Sequence, residues 1–240
     1  MTAAPTLRFE RQLLRGGASA LACSDEAGRG ALSGPVTVAM VLVTDGTAPA
    51  PTGVRDSKLL SAKARNSLVD PIKNWAVAWA IGNASSAEID EFGIVPAMRL
   101  AGHRAIAQLA PAPDLILLDG NHDYLTSPDQ DALFGPPVVF GQIPEVRTLV
   151  KADLSCAAVA AASILAKTSR DNHMIALSAE HDQYGWDVNK GYASAEHMAA
   201  LKRYGPTKHH RLSWRLPDQE QSSTKAGTMA DTSRMKEGSG

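Results

Sequence analysis

The sequence predicts an α/β domain built on a mixed sheet. Three short segments rich in small, apolar and β-branched residues come early in the chain, and strands then alternate with helical runs. The 240 residues suffice for one well-buried core, and 44% hydrophobic with 20% charged residues is ordinary for a soluble globular chain.

The elements follow in order. "ALACS" (20 to 24) and "VTVAMVLVT" (36 to 44) read as strands separated by the turn "GALSGP". Beyond the Pro/Gly-rich loop "DGTAPAPTGV", Ser61 is a plausible N-cap for a helix through "SAKARNSLVDPIKNWA", whose second half Pro71 puts in question. "VAWAIGNAS" (77 to 85) reads as the third strand. Ser85 stands three residues before Glu88, the spacing of a capping box. A longer helix over "VPAMRLAGHRAIAQLA" follows, with Val95, Met98, Ala101, Ala105 and Leu109 near helical spacing. "LILLDGN" and "EVRTLVKAD" are two short strands, each leading to an aspartate. The Ala-rich run "SCAAVAAASILAKTSRDNHMIALSAEHD" contains neither Gly nor Pro and is the longest helix expected. Residues 1–17 form an N-terminal segment, 18–216 the folded domain, and the polar stretch 217–240 is expected to be a disordered tail.

Composition narrows the class. Cys23 and Cys156 sit in no metal-ligand spacing and fit buried, inert thiols in a reducing cytoplasm. No stretch reaches the ~20 apolar residues of a membrane span, and the N-terminus lacks a signal-peptide core. A soluble, cytoplasmic protein is expected. The formal net charge of −1 does not advertise a polyanion partner. Local balance differs. Residues 190–211 carry Lys190, Lys202, Arg203, Lys208 and Arg211 against Glu196, and residues 55–73 carry Arg55, Lys58, Lys63, Arg65 and Lys73 against Asp56 and Asp70. Two such segments can form a groove for nucleic acid, or be solvated helix faces.

Four carboxylates stand where strands end: Asp25 and Glu26 in "DEAGRG", Asp119 after "LILL", and Asp153 after "VRTLVKA". Loops leaving strand ends commonly build sites in α/β proteins. Crowded carboxylates cost several kcal/mol unless they take up protons or a cation. An all-oxygen set suits Mg²⁺ or Mn²⁺, and two such ions could support phosphodiester hydrolysis. The residues alone leave open whether the four acids converge, or whether Asp119 and Asp153 merely end strands or cap helices.

"DEAGRGALSGPV" resembles the signature of prokaryotic type 2 ribonuclease H, ribonuclease HII. The resemblance extends, in the family's order, through "DSKLLS", "EIDEFGIVPA", "LLDGN", "VKAD", "AAASILAKTSRD", "YGWDVNKGY" and "HHRLSW", over roughly residues 18 to 215. It implies a ribonuclease H-like fold, a mixed sheet flanked by helices with a small helical C-terminal extension. It also implies metal-binding acids at Asp25, Glu26, Asp119 and Asp153. Gly28, Arg29 and Gly30 would read the ribose, Lys58 a phosphate, and Tyr192 would pack on the deoxyribose that follows the ribonucleotide. The implied substrates are RNA/DNA hybrids and duplex DNA holding ribonucleotides, cut on the 5′ side of the ribonucleotide to leave a 3′-hydroxyl and a 5′-phosphate. A role in removing misincorporated ribonucleotides and action as a monomer are expected with it.

Three positions depart from the family pattern. Ala31 stands where proline is frequent, Leu59 where a second lysine is common, and Ala152 where glycine often precedes the last aspartate. The short N-terminal segment and an aspartate as fourth acid disfavour the type 3 enzymes. Ser163, Lys167, Thr168 and Arg170 could face substrate or form the polar stripe of a core helix; His209 and His210 could reach phosphate or stay solvated. A different two-metal nuclease of the same fold, such as a junction resolvase, and a non-catalytic hybrid-binding module are the alternatives.

Overall fold

A computed structural model describes residues 4–126 and 143–218. Beyond Pro217 and Asp218, the tail expected from the sequence lies outside the described residues.

The described residues form one five-stranded sheet in the order β3-β2-β1-β4-β5, from β1 (Leu21–Ala27), β2 (Val36–Val43), β3 (Ala78–Ala84), β4 (Leu115–Asp119) and β5 (Glu145–Leu149). The first three pair antiparallel, while β1–β4 and β4–β5 are parallel. This is the mixed sheet expected. The interior strand β2, "VTVAMVLV", is buried at every position, as a strand covered on both faces must be. Edge strand β5, "EVRTL", is largely exposed.

The helices are α1 (Arg8–Arg15), α2 (Ala62–Trp75), α3 (Ser86–Phe92), α4 (Ile94–Ile106), α5 (Ala152–Ser155), α6 (Ala157–Ser178), α7 (Trp186–Asn189) and α8 (Ala195–Tyr204). Because side chains alternate along strands, Leu21, Cys23, Val41 and Leu117 face α6, with α1 and α2 beside it, and Ala22, Met40, Leu42 and Ile116 face α4. Both cysteines are buried and free. Ser61 caps α2, and Ser85 and Glu88 form the expected capping box. Helix α2 continues past Pro71 to Trp75, with Leu68 and Ile72 buried on either side of it; packing outweighs the hydrogen bond proline cannot donate. No described helix is long and apolar enough to cross a membrane.

The C-terminal extension has its own small core. Tyr184 stacks on Trp186 with ring centroids 5.1 Å apart, and Met174 and Leu201 close around them. His197 and His210 are fully buried there, with Nε2 atoms 3.2 Å apart. His197 Nδ1 meets the Tyr192 carbonyl at 2.9 Å, and the Thr207 amide donates to His210 Nδ1 at 2.9 Å. His210 is therefore a core residue, neither solvated nor free to reach phosphate.

Two buried groups give stability opposite pH dependences. Burial, with His197 second, lowers His210 from 6.5 to about 4, so the stability it lends is complete above 6.5 and lost as pH falls toward 4. Glu10 on α1 is fully buried against the start of α6, where its Oε1 accepts the Ala158 amide at 2.9 Å and Oε2 has no partner. Burial raises it from 4.5 to about 7 despite that amide, so its contribution is complete below 4.5 and lost as pH rises through 7. Glu10→Gln keeps the acceptor and removes the titration. Its melting temperature should exceed that of the unmodified protein at about pH 8, with the gap closing toward about pH 4, in thermal melts across that range. A pH-independent gap would show that Glu10 does not titrate as described.

Candidate active site

Strand register brings the first two acids together. Ser24 lies opposite Leu118 in the parallel β1–β4 pair, so the next residues along the two strands are Asp25 and Asp119. Strand β1 is longer than the sequence suggested: Asp25, Glu26 and Ala27 stay paired with Ala39, Val38 and Thr37 of β2. The two acids are thus strand residues, held more rigidly than in a loop. The third acid arrives by a reversal after β5. Lys151 adopts a left-handed conformation, φ 59°, and starts α5, whose first turn carries Asp153. The Ala152 amide donates to Asp119 Oδ1 at 2.7 Å and fixes the reversal against β4. Alanine at 152 is accommodated, since the residue sits in helical geometry and is fully buried.

One carboxylate oxygen from each of Asp25, Asp119 and Asp153 lies within 4.8 Å of the others. Glu26 is outside this trio but beside it. Burial raises the Glu26 carboxyl, with Arg29 opposing and the Asp119 charge adding to the rise. Asp25 is pushed well above its ordinary value by burial first, then by the Glu26 and Asp119 charges. Asp153 rises by burial and then by Asp119. Carboxylates that destabilise one another in a partly buried, all-oxygen cluster are suited to a hard divalent cation. The donor set therefore fits Mg²⁺ or Mn²⁺.

Two basic residues border the cluster. Lys58 Nζ lies 3.8 Å from Asp153 Oδ2, with most of its side chain exposed. Its turn is fixed by Asp56, which accepts the Lys58 amide at 2.9 Å, and by Ser57, whose hydroxyl meets Ser163 of α6 at 2.7 Å. Arg29 Nη1 lies 3.9 Å from Glu26 Oε1 and is otherwise exposed.

Sequence reading missed what holds the glycine loop. Arg211, fully buried, donates to the carbonyls of Gly28 (2.6 Å), Arg29 (2.8 Å) and Gly34 (3.2 Å). Arg170, left undecided from sequence, is also buried and donates at 2.9 Å to the carbonyls of Ser33, Pro35 and Lys190. A trans peptide directs its N–H opposite its C=O. With the Gly28 and Arg29 carbonyls turned in to Arg211, the Arg29 and Gly30 amides point away from it. Gly28, at φ +86°, has a reason of its own to be glycine: a Cβ there would lie 1.9 Å from Arg170 Nε. Nothing lies within 4 Å of a Cβ on Gly30. The two glycines thus differ: one is required by packing, the other leaves open space.

Tyr192 is brought to this loop by the extension. The Leu32 amide donates to Gly191 O at 2.8 Å and the Gly34 amide to His209 O at 2.8 Å. The half-exposed Tyr192 ring has the Arg170 guanidinium 5.2 Å from its centroid and Lys167 Nζ at 5.8 Å. Ser163 thus ties the Lys58 turn to α6, Arg170 stands beside Tyr192, and Arg211 holds the glycine loop. The long-range signal for Arg211 in the sequence was only its place in "HHRLSW".

Comparison with known proteins shows what the chain is similar to. The sequence profile of the family described as Ribonuclease HII matches residues 22–216. A Streptomyces avermitilis protein named Ribonuclease HII is 45% identical over 215 residues, spanning 89% of this chain and 85% of the relative. One of the same name from Nitrosococcus oceani is 45% identical over 191 residues, spanning 80% and 86%. The crystal structure of ribonuclease H2 from Pyrococcus horikoshii has a similar fold, with a TM-score of 0.62 at 24% identity, spanning 81% of this chain and 93% of that one.

Proposed function

The chain belongs to the ribonuclease HII family, and from that premise we propose that it cleaves the phosphodiester on the 5′ side of a ribonucleotide, in RNA/DNA hybrids and at single ribonucleotides in duplex DNA. It is an endonuclease of the ribonuclease H type and depends on divalent metal. The finer reading adds the products, a 3′-hydroxyl and a 5′-phosphate, and a role in removing misincorporated ribonucleotides. The observation that carries it is the gathering of Asp25, Asp119 and Asp153 within 4.8 Å, beside a backbone loop with outward amides.

In this reading Asp25, Asp119 and Asp153, with Glu26 alongside, hold two Mg²⁺ or Mn²⁺ ions. When bound, such ions activate water and offset charge at the phosphate. The chain's own groups place the substrate. Amides of the Gly28-Arg29-Gly30 loop bond the 2′-hydroxyl, the feature that separates RNA from DNA. Lys58, an exposed point charge beside Asp153, meets the backbone phosphate. Tyr192 packs against the deoxyribose after the ribonucleotide and marks the junction. All these groups come from one chain, which supports reading the monomer as sufficient for the reaction.

The test is to incubate the protein with duplex DNA containing one ribonucleotide, with Mg²⁺, with Mn²⁺, and with a chelator. One cut 5′ of the ribonucleotide, only with metal, is expected. Cleavage of the matching all-DNA duplex at a similar rate would favour a resolvase-like nuclease instead.

A further inference from the structure

Helix α6 carries the polar face beside the acids onward. From Ser163, i+4 spacing leads to Lys167, Asp171 and Ile175, one turn apart. This face, with α2 and the end of α7, lines a cleft of about 290 Å³ that includes Arg65, Asn66, Lys167, Asn172, Val188 and Lys190. Lys167, in its lining, connects it to Tyr192, with Nζ 5.8 Å from the centre of that ring.

The lining has the character of a backbone seat. Arg65, Lys167 and Lys190 give three positive charges against the single negative charge of Asp171, a balance of +2. Asp171 is shared by Arg65 at 3.2 Å and Lys167 at 2.5 Å, which holds both cations at the cleft wall. Lys190 is fixed in a left-handed conformation, and its carbonyl is held by Arg170 at 2.9 Å. Two aliphatic side chains, Ile175 and Val188, lie uncovered on the same surface, Val188 at 81% exposure. Cations, amides and exposed aliphatics side by side match alternating phosphates and sugars.

We propose that this cleft seats the backbone of the cleaved strand on its DNA side, beyond the deoxyribose at Tyr192, with Lys167 and Lys190 on consecutive phosphates. The proposal rests on the placement of Tyr192 at the RNA-to-DNA junction. It extends the interface beyond the glycine loop, and it gives Lys167, undecided from sequence, a binding role.

The experiment uses a duplex with one ribonucleotide and a neutral methylphosphonate placed in turn at each of the next few phosphates on its 3′ side. KM and its salt dependence are measured for the unmodified protein, Lys167→Met and Lys190→Gln, with thermal melts to confirm folding. At one or two positions the methylphosphonate should raise KM on the order of 5-fold for the unmodified protein. The matching lysine variant should show a similar rise on the normal duplex, a salt slope lower by about 0.9, and no further loss with the methylphosphonate. Methylphosphonates without effect, or effects that simply add to those of both variants, would overturn the proposal. Should Lys167→Met fail to fold for want of its Asp171 partner, Lys190→Gln decides alone. The junction reading fails separately: Tyr192→Ala would then leave the preference for one embedded ribonucleotide over a continuous RNA strand unaltered, whatever the state of these phosphates.

Discussion

Asp119→Asn should lower cleavage at saturating Mg²⁺ by at least ~100-fold while duplex binding is largely kept, because metal-assisted charge stabilisation is worth several kcal/mol. The substitution is conservative where structure is concerned. Asparagine retains an oxygen to accept the Ala152 amide, which now bonds Asp119 Oδ1 at 2.7 Å, so the reversal that delivers Asp153 survives. It removes one of three charges whose oxygens lie within 4.8 Å of each other. A second readout separates a metal role from a structural one. Asp25 and Asp153 have raised carboxyl values, so the stability each contributes is complete below its unfolded value and is lost as pH rises. At neutral pH without metal the cluster therefore works against the fold, and a bound cation relieves it. Mg²⁺ should raise the melting temperature of the unmodified protein. Asp119→Asn should melt higher without metal and gain less from Mg²⁺. Near-normal turnover by Asp119→Asn or Asp153→Asn, or an unchanged Mg²⁺ response, would remove these acids from the metal site.

Much of the framework was legible because its causes are local. The apolar run "VTVAMVLV" can only be a covered strand, and Ser85 with Glu88 marks a helix start through bonds made within four residues. The four acids could be seen at strand ends. Their meeting could not, since it depends on β1–β4 register and on a left-handed turn at Lys151, which are properties of distant pairing. Aspartate and glutamate disfavour strands, so "ALACS" read as the whole of β1, whereas pairing with β2 carries it on to Ala27. Arg170 and Arg211 were least legible. Arginine usually signals solvent, and nothing local says that Arg211 will reach carbonyls more than 170 residues away in the chain. The same holds for Gly28. Its sequence context suggested close approach to a sugar, but the side chain that excludes a Cβ is Arg170.

That difference between the two glycines makes the recognition model testable. If the outward amides of Arg29 and Gly30 bond the 2′-hydroxyl, an all-DNA duplex leaves them unpaired at the moment of cleavage. A site built to bond a hydroxyl can reject the analogue lacking it by a factor on the order of 10⁴, and discrimination of that size between ribonucleotide-containing and all-DNA duplexes is expected here. Gly30→Val should fold normally, because no atom lies within 4 Å of the added Cβ. It should nonetheless cut cleavage of every ribonucleotide substrate sharply, since the branched side chain occupies the space the sugar needs. Gly28→Val, in contrast, should lower the melting temperature, as its Cβ would press on the Arg170 guanidinium. Tyr192→Ala addresses the other side of the junction. Its ring packs on a deoxyribose in this reading, so cleavage at one embedded ribonucleotide should fall more than cleavage within a continuous RNA strand. The comparison needs three duplexes: all-DNA, one ribonucleotide, and a full RNA/DNA hybrid. Equal cleavage of the all-DNA duplex, full activity of a folded Gly30→Val, or an unaltered substrate preference in Tyr192→Ala would each remove its part of the model, and the three outcomes are independent.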